Sequence, residues 1–137
     1  MRINPYLEFG GDCEAAFRFY ERSLGGEIEA MLPFAGSPAE DFAPKEWGEK
    51  IMHARLAIGD QVLMGSDTPP DRRQTPAGFS VSLQMESAEA ADRVFHALAE
   101  GGTVRMPIEE TFWAIRFGML TDRFGIPWMV NCDREDG

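Results

Sequence analysis

Four polar side chains on two predicted strands are spaced so that they could carry out acid–base chemistry or bind a ligand. By strand alternation, Tyr6 and Glu8 share one face of the first strand, and His53 and Arg55 share one face of a later strand. A carboxylate beside an imidazole can transfer protons, so Glu8 and His53 are the candidate catalytic residues. The alternative is structural, with Glu8 paired to Arg55 and His53 at the solvent surface.

Three more candidate ligand-binding residues lie in the last quarter of the chain: Trp113, Arg116 and Met129. The guanidinium of Arg116 could bind a carboxylate or phosphate, or it could pair with Glu109 or Glu110. Tryptophans such as Trp113 and Trp128 belong to a core or a dimer interface more often than to a ligand site. The residue types alone therefore leave both interpretations open.

The last hairpin is predicted from two apolar-rich runs, residues 113–121 and 126–131. Gly125 in the connection tolerates a positive φ, and the Asp122 carboxylate can accept hydrogen bonds from the backbone that follows it. The second run divides its side chains between two faces, with Ile126, Trp128 and Val130 on one and Pro127, Met129 and Asn131 on the other. Because both sets are largely apolar, we expect both faces to be buried.

The elements that position these residues follow one order in both halves of the chain. The predicted strands span residues 3–9, 27–33, 50–58, 61–66, 79–85, 103–109, 113–121 and 126–131. One helix is predicted after Asp12, a candidate N-cap, and a second after Ser87. Gly25 and Gly101 end these helices and lie 76 residues apart (101 − 25). The order strand-helix-strand-strand-strand therefore occurs twice, as an internal duplication.

Length and composition limit the function classes. A chain of 137 residues fits a single domain over 1–137, with a first module at about 1–67, a linker at about 68–77 and a second module at about 78–133. The net charge of −10 argues against nucleic-acid binding. No membrane span or leader is evident, so a cytoplasmic protein is expected. Cys13 and Cys132 are expected to be reduced thiols, and no glycine-rich phosphate loop or Cys/His cluster indicates a cofactor.

Four strings of the sequence resemble PhnB-like members of the vicinal-oxygen-chelate superfamily, which includes glyoxalases, bleomycin-resistance proteins and dioxygenases. The strings are NPYLEFGGDCEAAFRFY, KIMHARLAIGDQVLMGSD, GFSVSLQMES and ETFWAIRFGMLTDRFGIPWMVN. This resemblance implies an α+β fold of two βαβββ modules, each forming a half-barrel sheet around a cavity. It also implies a homodimer.

The resemblance permits a test for metal binding. Metal enzymes of the superfamily have ligands at four positions, which correspond here to Tyr6, Met64, Ser80 (or Phe79 in the ungapped register) and Met129. None of these side chains is a carboxylate or an imidazole, the donors that divalent metals prefer in such sites. We therefore expect no metal and no cofactor.

The acidity, the aromatic residues and the missing metal ligands favour a dimeric small-molecule-binding protein that resembles the bleomycin-resistance type. We expect its unknown ligand to contact Tyr6, Glu8, His53, Arg55, Trp113, Arg116 and Met129. One of the two arginines is expected to be incompletely paired and to bind an oxyanion. The alternative is a lyase/isomerase-type or other enzyme of the superfamily. Some PhnB-like proteins carry a methyltransferase label, but nothing in this sequence resembles a nucleotide-cofactor fold.

Overall fold

A computed structural model of the chain describes residues 1–134. It contains strands and helices in the order β1 (Tyr6–Phe9), α1 (Cys13–Leu24), β2 (Glu27–Pro33), β3 (Ile51–Ile58), β4 (Gln61–Asp67), β5 (Val81–Gln84), α2 (Ala88–Ala99), β6 (Thr103–Glu109), β7 (Ala114–Thr121) and β8 (Pro127–Asp133). These elements form two compact units, a first unit over Met1–Gln74 and a second unit that begins at Thr75. Neither α1 nor α2 is long and apolar enough to cross a membrane.

Each unit is a four-stranded mixed sheet with one helix packed on one face. The strand order is β1-β4-β3-β2 in the first unit and β5-β8-β7-β6 in the second. In both, the first strand pairs in parallel with the last, and the other two strand pairs are antiparallel. The two units therefore have the same topology, which confirms the predicted α+β fold of two βαβββ modules.

The core of each unit lies between its sheet and its helix. In the first unit Phe9 contacts Phe17 and Tyr20 of α1 edge to face or tilted, and Leu56 is fully buried. The space between sheet and helix in the second unit is filled by fully buried side chains, those of Phe95, Leu98, Leu120, Trp128 and Val130. Burial of this apolar surface is the main contribution to the stability of each unit.

Two strands begin two or more residues later than their sequence patterns predict. β1 begins at Tyr6 rather than at residue 3, because Pro5 has no N–H to donate and Ile3 is exposed. β5 begins at Val81 rather than at residue 79, because the next partner along β8 would be Pro127, which also has no N–H. The loop at 35–49 contains two 3₁₀ turns, Glu40–Phe42 and Lys45–Trp47.

The N-terminus of α1 is capped by a distant residue. Asp12 occupies the predicted N-cap position, but its side chain forms no capping hydrogen bond. The buried carboxylate of Asp67, at the end of β4, instead accepts hydrogen bonds from the backbone N–H groups of Gly11, Cys13 and Ile51. Ser87 does cap α2 as predicted, accepting a hydrogen bond from Ala90 N–H.

The final hairpin is held by Asp122. One oxygen of its buried carboxylate accepts hydrogen bonds from the backbone N–H groups of Phe124 and Ile126, and the other accepts from Trp128 Nε1. The forward hydrogen bonding predicted for this turn is therefore confirmed. Because the same carboxylate also holds the indole of Trp128, the turn and the core of the second unit are fixed together.

Candidate functional site

The first sheet presents its predicted site residues on the face away from α1. Gly65 of β4 lies against Phe17 of α1, so its neighbour Met64 lies on the other face. Tyr6 and Arg55 are the direct strand partners of Met64 and share that face with it. Glu8 and His53 lie two residues from Tyr6 and Arg55 respectively, so all five residues are on one face of the sheet, called here the first helix-free face.

Tyr6 and His53 form the clearest polar contact on the first helix-free face. The Tyr6 hydroxyl lies 3.3 Å from His53 Nδ1, and the two rings are stacked with centroids 5.9 Å apart and an interplanar angle of 27°. Tyr6 is 48% exposed, so this pair is accessible to a ligand. It joins two of the predicted site residues.

Glu8 forms neither of the two pairings considered for it. Arg55 Nε instead donates to Glu29 Oε1 at 2.8 Å, and among residues 1–134 Glu8 makes no hydrogen bond or ion pair with His53 or Arg55. β4 lies between β1 and β3 and places Glu8 opposite Ser66, and the side chain of Glu8 is shorter than that of Tyr6, which reaches His53 across the same strand. Two strand spacings, roughly 9–10 Å, separate Glu8 from β3.

The second sheet has a cavity on the face away from α2. Gly118 lies against Phe95 of α2, so its neighbour Met119 lies on the opposite face together with its strand partner Met129. The cavity has a volume of about 510 Å³. Its lining includes Phe79, Ser80, Arg105, Thr121, Pro127 and Met129. Met129 is thus the predicted ligand-binding residue that lines this cavity.

Arg116 lies on the helix-facing side of β7. It shares alternation with Gly118, and its Nε donates to Asp92 Oδ1 of α2 at 3.0 Å. Its Nη1 donates to the carbonyl oxygen of Ile115 at 2.9 Å. The pairing considered with Glu109 or Glu110 is therefore not formed, and Glu110 accepts from Arg134 instead.

Trp113 lies just before β7 and is 46% exposed. Its ring packs edge to face against Phe112, with centroids 4.8 Å apart, and against Phe117, with centroids 5.3 Å apart. These three aromatic rings form a partly exposed apolar cluster in the second unit. Such a cluster can contact a ligand or a second protein chain.

The side chains at the four metal-ligand positions of the superfamily do not fit a divalent metal. They supply a phenol from Tyr6, thioethers from Met64 and Met129, and a hydroxyl from Ser80, whereas such metals prefer carboxylate and imidazole donors. The Tyr6 hydroxyl is also engaged with His53. Within residues 1–134 no group of three or more His, Cys, Asp or Glu residues is placed to hold a metal ion. The absence of metal binding stays a prediction.

One polar atom near the end of β8 lacks a partner. Asn131 Nδ2 donates to Gln84 Oε1 and to Asp133 Oδ1, but Asn131 Oδ1 is buried and accepts no hydrogen bond from residues 1–134. Alternation places Asn131 on the same face as Met129. A buried acceptor without a donor is uncommon in proteins and is available to a donor from outside the chain.

The sequence interpretation missed Arg105, which lines the cavity of the second unit. The two arginines that were predicted from the sequence as oxyanion-binding candidates, Arg55 and Arg116, are both paired with carboxylates. The available signal was strand alternation, which places Arg105 on the face of β6 opposite the apolar side chain of Val104. That signal could have identified Arg105 as a charged residue on the face away from the core.

Comparison with known proteins gives consistent matches over nearly the whole chain. The family model of the Glyoxalase/Bleomycin resistance protein/Dioxygenase superfamily matches residues 2–130. Protein YjdN of Escherichia coli K12 is 37% identical, over 98% of this chain and 97% of its own length.

Solved structures agree with these sequence matches. Protein PA1353 of Pseudomonas aeruginosa is 51% identical, covers 98% of this chain and 99% of its own, and superimposes with a TM-score of 0.90. The PhnB protein of Bacillus cereus is 27% identical, covers 96% of this chain and 99% of its own, and has a TM-score of 0.78. The chain therefore has PhnB-like structural neighbours.

Proposed function

We propose that this chain, which belongs to the glyoxalase/bleomycin resistance protein/dioxygenase superfamily, binds a small molecule as a homodimer without the superfamily's usual metal. The observation that carries the proposal is the 510 Å³ cavity of the second unit, which two of the four metal-ligand positions, Ser80 and Met129, line. The site is concave, and the side chains at these two positions are not metal donors of the usual kind. Such a site is suited to binding a ligand directly.

The chemistry of the lining supports a small organic ligand. Phe79, Pro127 and Met129 provide apolar surface, while Ser80 and Thr121 provide hydroxyl groups. Small-molecule sites typically combine an apolar wall with a few polar groups that fix orientation, in volumes of roughly 300–1,000 Å³.

The residues of the first helix-free face are proposed as further ligand contacts. Tyr6, Glu8, His53 and Arg55 share that face, and the Tyr6–His53 stack offers a flat aromatic surface. Among the residues of the second unit, Trp113 offers a partly exposed ring. The predicted ligand-binding role of Arg116 has less support, because Asp92 already occupies its guanidinium.

Exposed apolar side chains support the homodimer. Phe79, Met106 and Trp113 are 49%, 41% and 46% exposed. Within residues 1–134, the outer strands of each sheet also have one edge without a strand partner: β1 and β2 in the first unit, and β5 and β6 in the second. A second copy of the chain can cover such edges and apolar surface.

A fragment screen followed by nuclear magnetic resonance tests the binding function. Compounds that enter the cavity should shift the amide signals of Thr121 and Gly125, and Ser80→Phe should abolish these shifts by filling the cavity. Ser23→Phe, on the helix of the first unit, is the matched control and should leave them unchanged. If no compound shifts these signals, or if Ser80→Phe has no effect, the proposal is wrong.

An enzyme of the lyase or isomerase type is the second candidate, and the Tyr6–His53 pair favours it. An imidazole in contact with a phenol can take up and release a proton. Such an enzyme should catalyse deuterium exchange at the acidic C–H bonds of α-keto acids in heavy water. His53→Asn should abolish the exchange, whereas His96→Asn, the change at the other histidine, should not. The absence of exchange in the native protein would count against this candidate.

A further inference from the structure

We infer that Arg105 makes the second unit's cavity selective for ligands that carry a carboxylate or phosphate on an apolar group. This inference rests on the proposed binding function and adds the ligand class. Of the described residues that line the cavity, Arg105 alone is charged. It makes no hydrogen bond or ion pair with any of residues 1–134.

Arg105 lies at a β-bulge, on the face of β6 away from α2. Val104 is the partner of Leu120 and Met106 is the partner of Met119, so the register shifts between them and Arg105 is the extra residue. In such a bulge two residues stand opposite one residue of the neighbouring strand. Here Arg105 and Met106 stand opposite Met119, the residue next to Gly118 that faces away from α2.

The first unit has the same bulge with a different charge arrangement. The register of β2 shifts between Ile28 and Ala30, so Glu29 is its extra residue, and Glu29 is related to Arg105 by the internal offset. Glu29 is neutralised by Arg55, whose backbone partner is Ala30.

In the second unit the position equivalent to Arg55 is Met119, the partner of Met106. A thioether cannot neutralise a guanidinium, so the second unit has the bulge without an internal counter-ion at this position. Glu29 has its positive partner, Arg55, within its own unit, whereas a ligand can supply the negative partner for Arg105.

The surroundings of Arg105 define the ligand class. A guanidinium binds a carboxylate or phosphate with two parallel hydrogen bonds, and the hydroxyls of Ser80 and Thr121 can donate to the same oxygens. Phe79 and Met129 provide apolar surface in the same cavity. In a chain of net charge −10, a local positive group favours the binding of an anion to this cavity.

The inference is tested by measuring how tightly four probes bind to the purified full-length protein. Benzoate and phenyl phosphate carry an anion on an apolar ring, benzamide carries the ring alone, and inorganic phosphate carries the anion alone. Calorimetry should give tighter binding of benzoate or phenyl phosphate than of benzamide or inorganic phosphate. Arg105→Gln should weaken the anionic aromatic probes at least about tenfold and leave benzamide unchanged. Arg93→Gln, at an exposed arginine on α2, is the control of equal charge change and should have no effect.

The possible failures are distinguishable. If benzamide binds as tightly as benzoate and Arg105→Gln changes neither, the anion selectivity is refuted while the binding function stands. If inorganic phosphate binds as well as phenyl phosphate, the apolar part of the ligand class is refuted. If Arg105→Gln converts a dimer to a monomer, its partner is a second copy of the chain and the inference is wrong. If none of the four probes binds, the inference is refuted, and the fragment screen decides the proposed function separately.

Discussion

The side chain of Cys13 shows how burial controls a reactive group in this protein. Cys13 is fully buried at the start of α1, and burial raises the pKa of its thiol far above the ordinary value, with further contributions from the negative charges of Asp67, Asp12 and Glu14. The folded state therefore keeps Cys13 as a neutral thiol. Cys132 is also buried.

This raised pKa predicts a loss of stability at alkaline pH. The folded pKa lies above the unfolded value of roughly 8.5, so the contribution is fully present below about pH 8.5 and falls as pH rises, because the unfolded chain then releases a proton that the folded chain retains. Urea denaturation should give a slope of up to about −1.4 kcal/mol per pH unit from this group. Cys13→Ala should be less stable at neutral pH and should have a smaller alkaline slope. Equal slopes would contradict the account.

Arg116 illustrates a polar residue whose role depends on the face it occupies. Its guanidinium is engaged by Asp92 and by the carbonyl of Ile115, in a half-buried setting. We expect Arg116→Met to lower the free energy of unfolding by no more than about 1 kcal/mol, since a partly exposed ion pair contributes little. Calorimetric binding of benzoate should be unchanged. A loss of benzoate binding in this variant would instead assign Arg116 to the ligand site.

At the scale of the element, the helix α1 depends on a residue more than fifty positions away. Asp67 accepts from Gly11, Cys13 and Ile51, which joins the helix N-terminus to the ends of β3 and β4. Asp67→Ala would leave these buried N–H groups without an acceptor. We expect a loss of at least about 2 kcal/mol in urea denaturation, together with faster amide exchange at the start of α1.

Asp12→Ala is the matched control for Asp67→Ala. Asp12 holds the N-cap position without a capping hydrogen bond, so its replacement should change the free energy of unfolding by less than about 0.5 kcal/mol. If Asp12→Ala costs as much as a normal cap, roughly 1 kcal/mol, then Asp12 does cap the helix in solution.

Local sequence signals predicted most elements because the physical causes are local. The helical spacing of apolar residues and the glycines that follow them correctly predicted α1. The strands β2 and β6 have the predicted bounds. The hydrogen bonds of Asp122 to the following backbone were also predictable, because its carboxylate accepts them from N–H groups no more than four residues ahead.

The remaining features depend on contacts between distant residues. The cap from Asp67 requires the end of β4 to lie beside α1, and the Glu29–Arg55 pair requires the register of β2 against β3. The candidate site was predicted in part, because alternation gave the face of Tyr6 and His53 but not their contact. Arg105 was missed because alternation gives its face but not the cavity, which residues distant in the sequence line.

At the scale of the whole molecule, we expect a symmetric homodimer. The exposed apolar side chains and outer strands give each chain a surface that a second copy can cover, with more than about 1,000 Å² buried in total. Light scattering of the protein as it elutes from a size-exclusion column at micromolar concentration should give a molecular mass of twice the chain mass of 15.3 kDa. A mass of one chain at that concentration would contradict the dimer.

The central claim is that the second unit's cavity binds its ligand without a metal. The direct measurement is calorimetric titration of benzoate into the purified protein before and after treatment with a chelator that removes divalent metals. Because Tyr6, Met64, Ser80 and Met129 are poor donors for such metals, we expect the same affinity in both titrations. Loss of binding after chelation, with recovery on adding back one equivalent of zinc, nickel, manganese or iron, would contradict the claim.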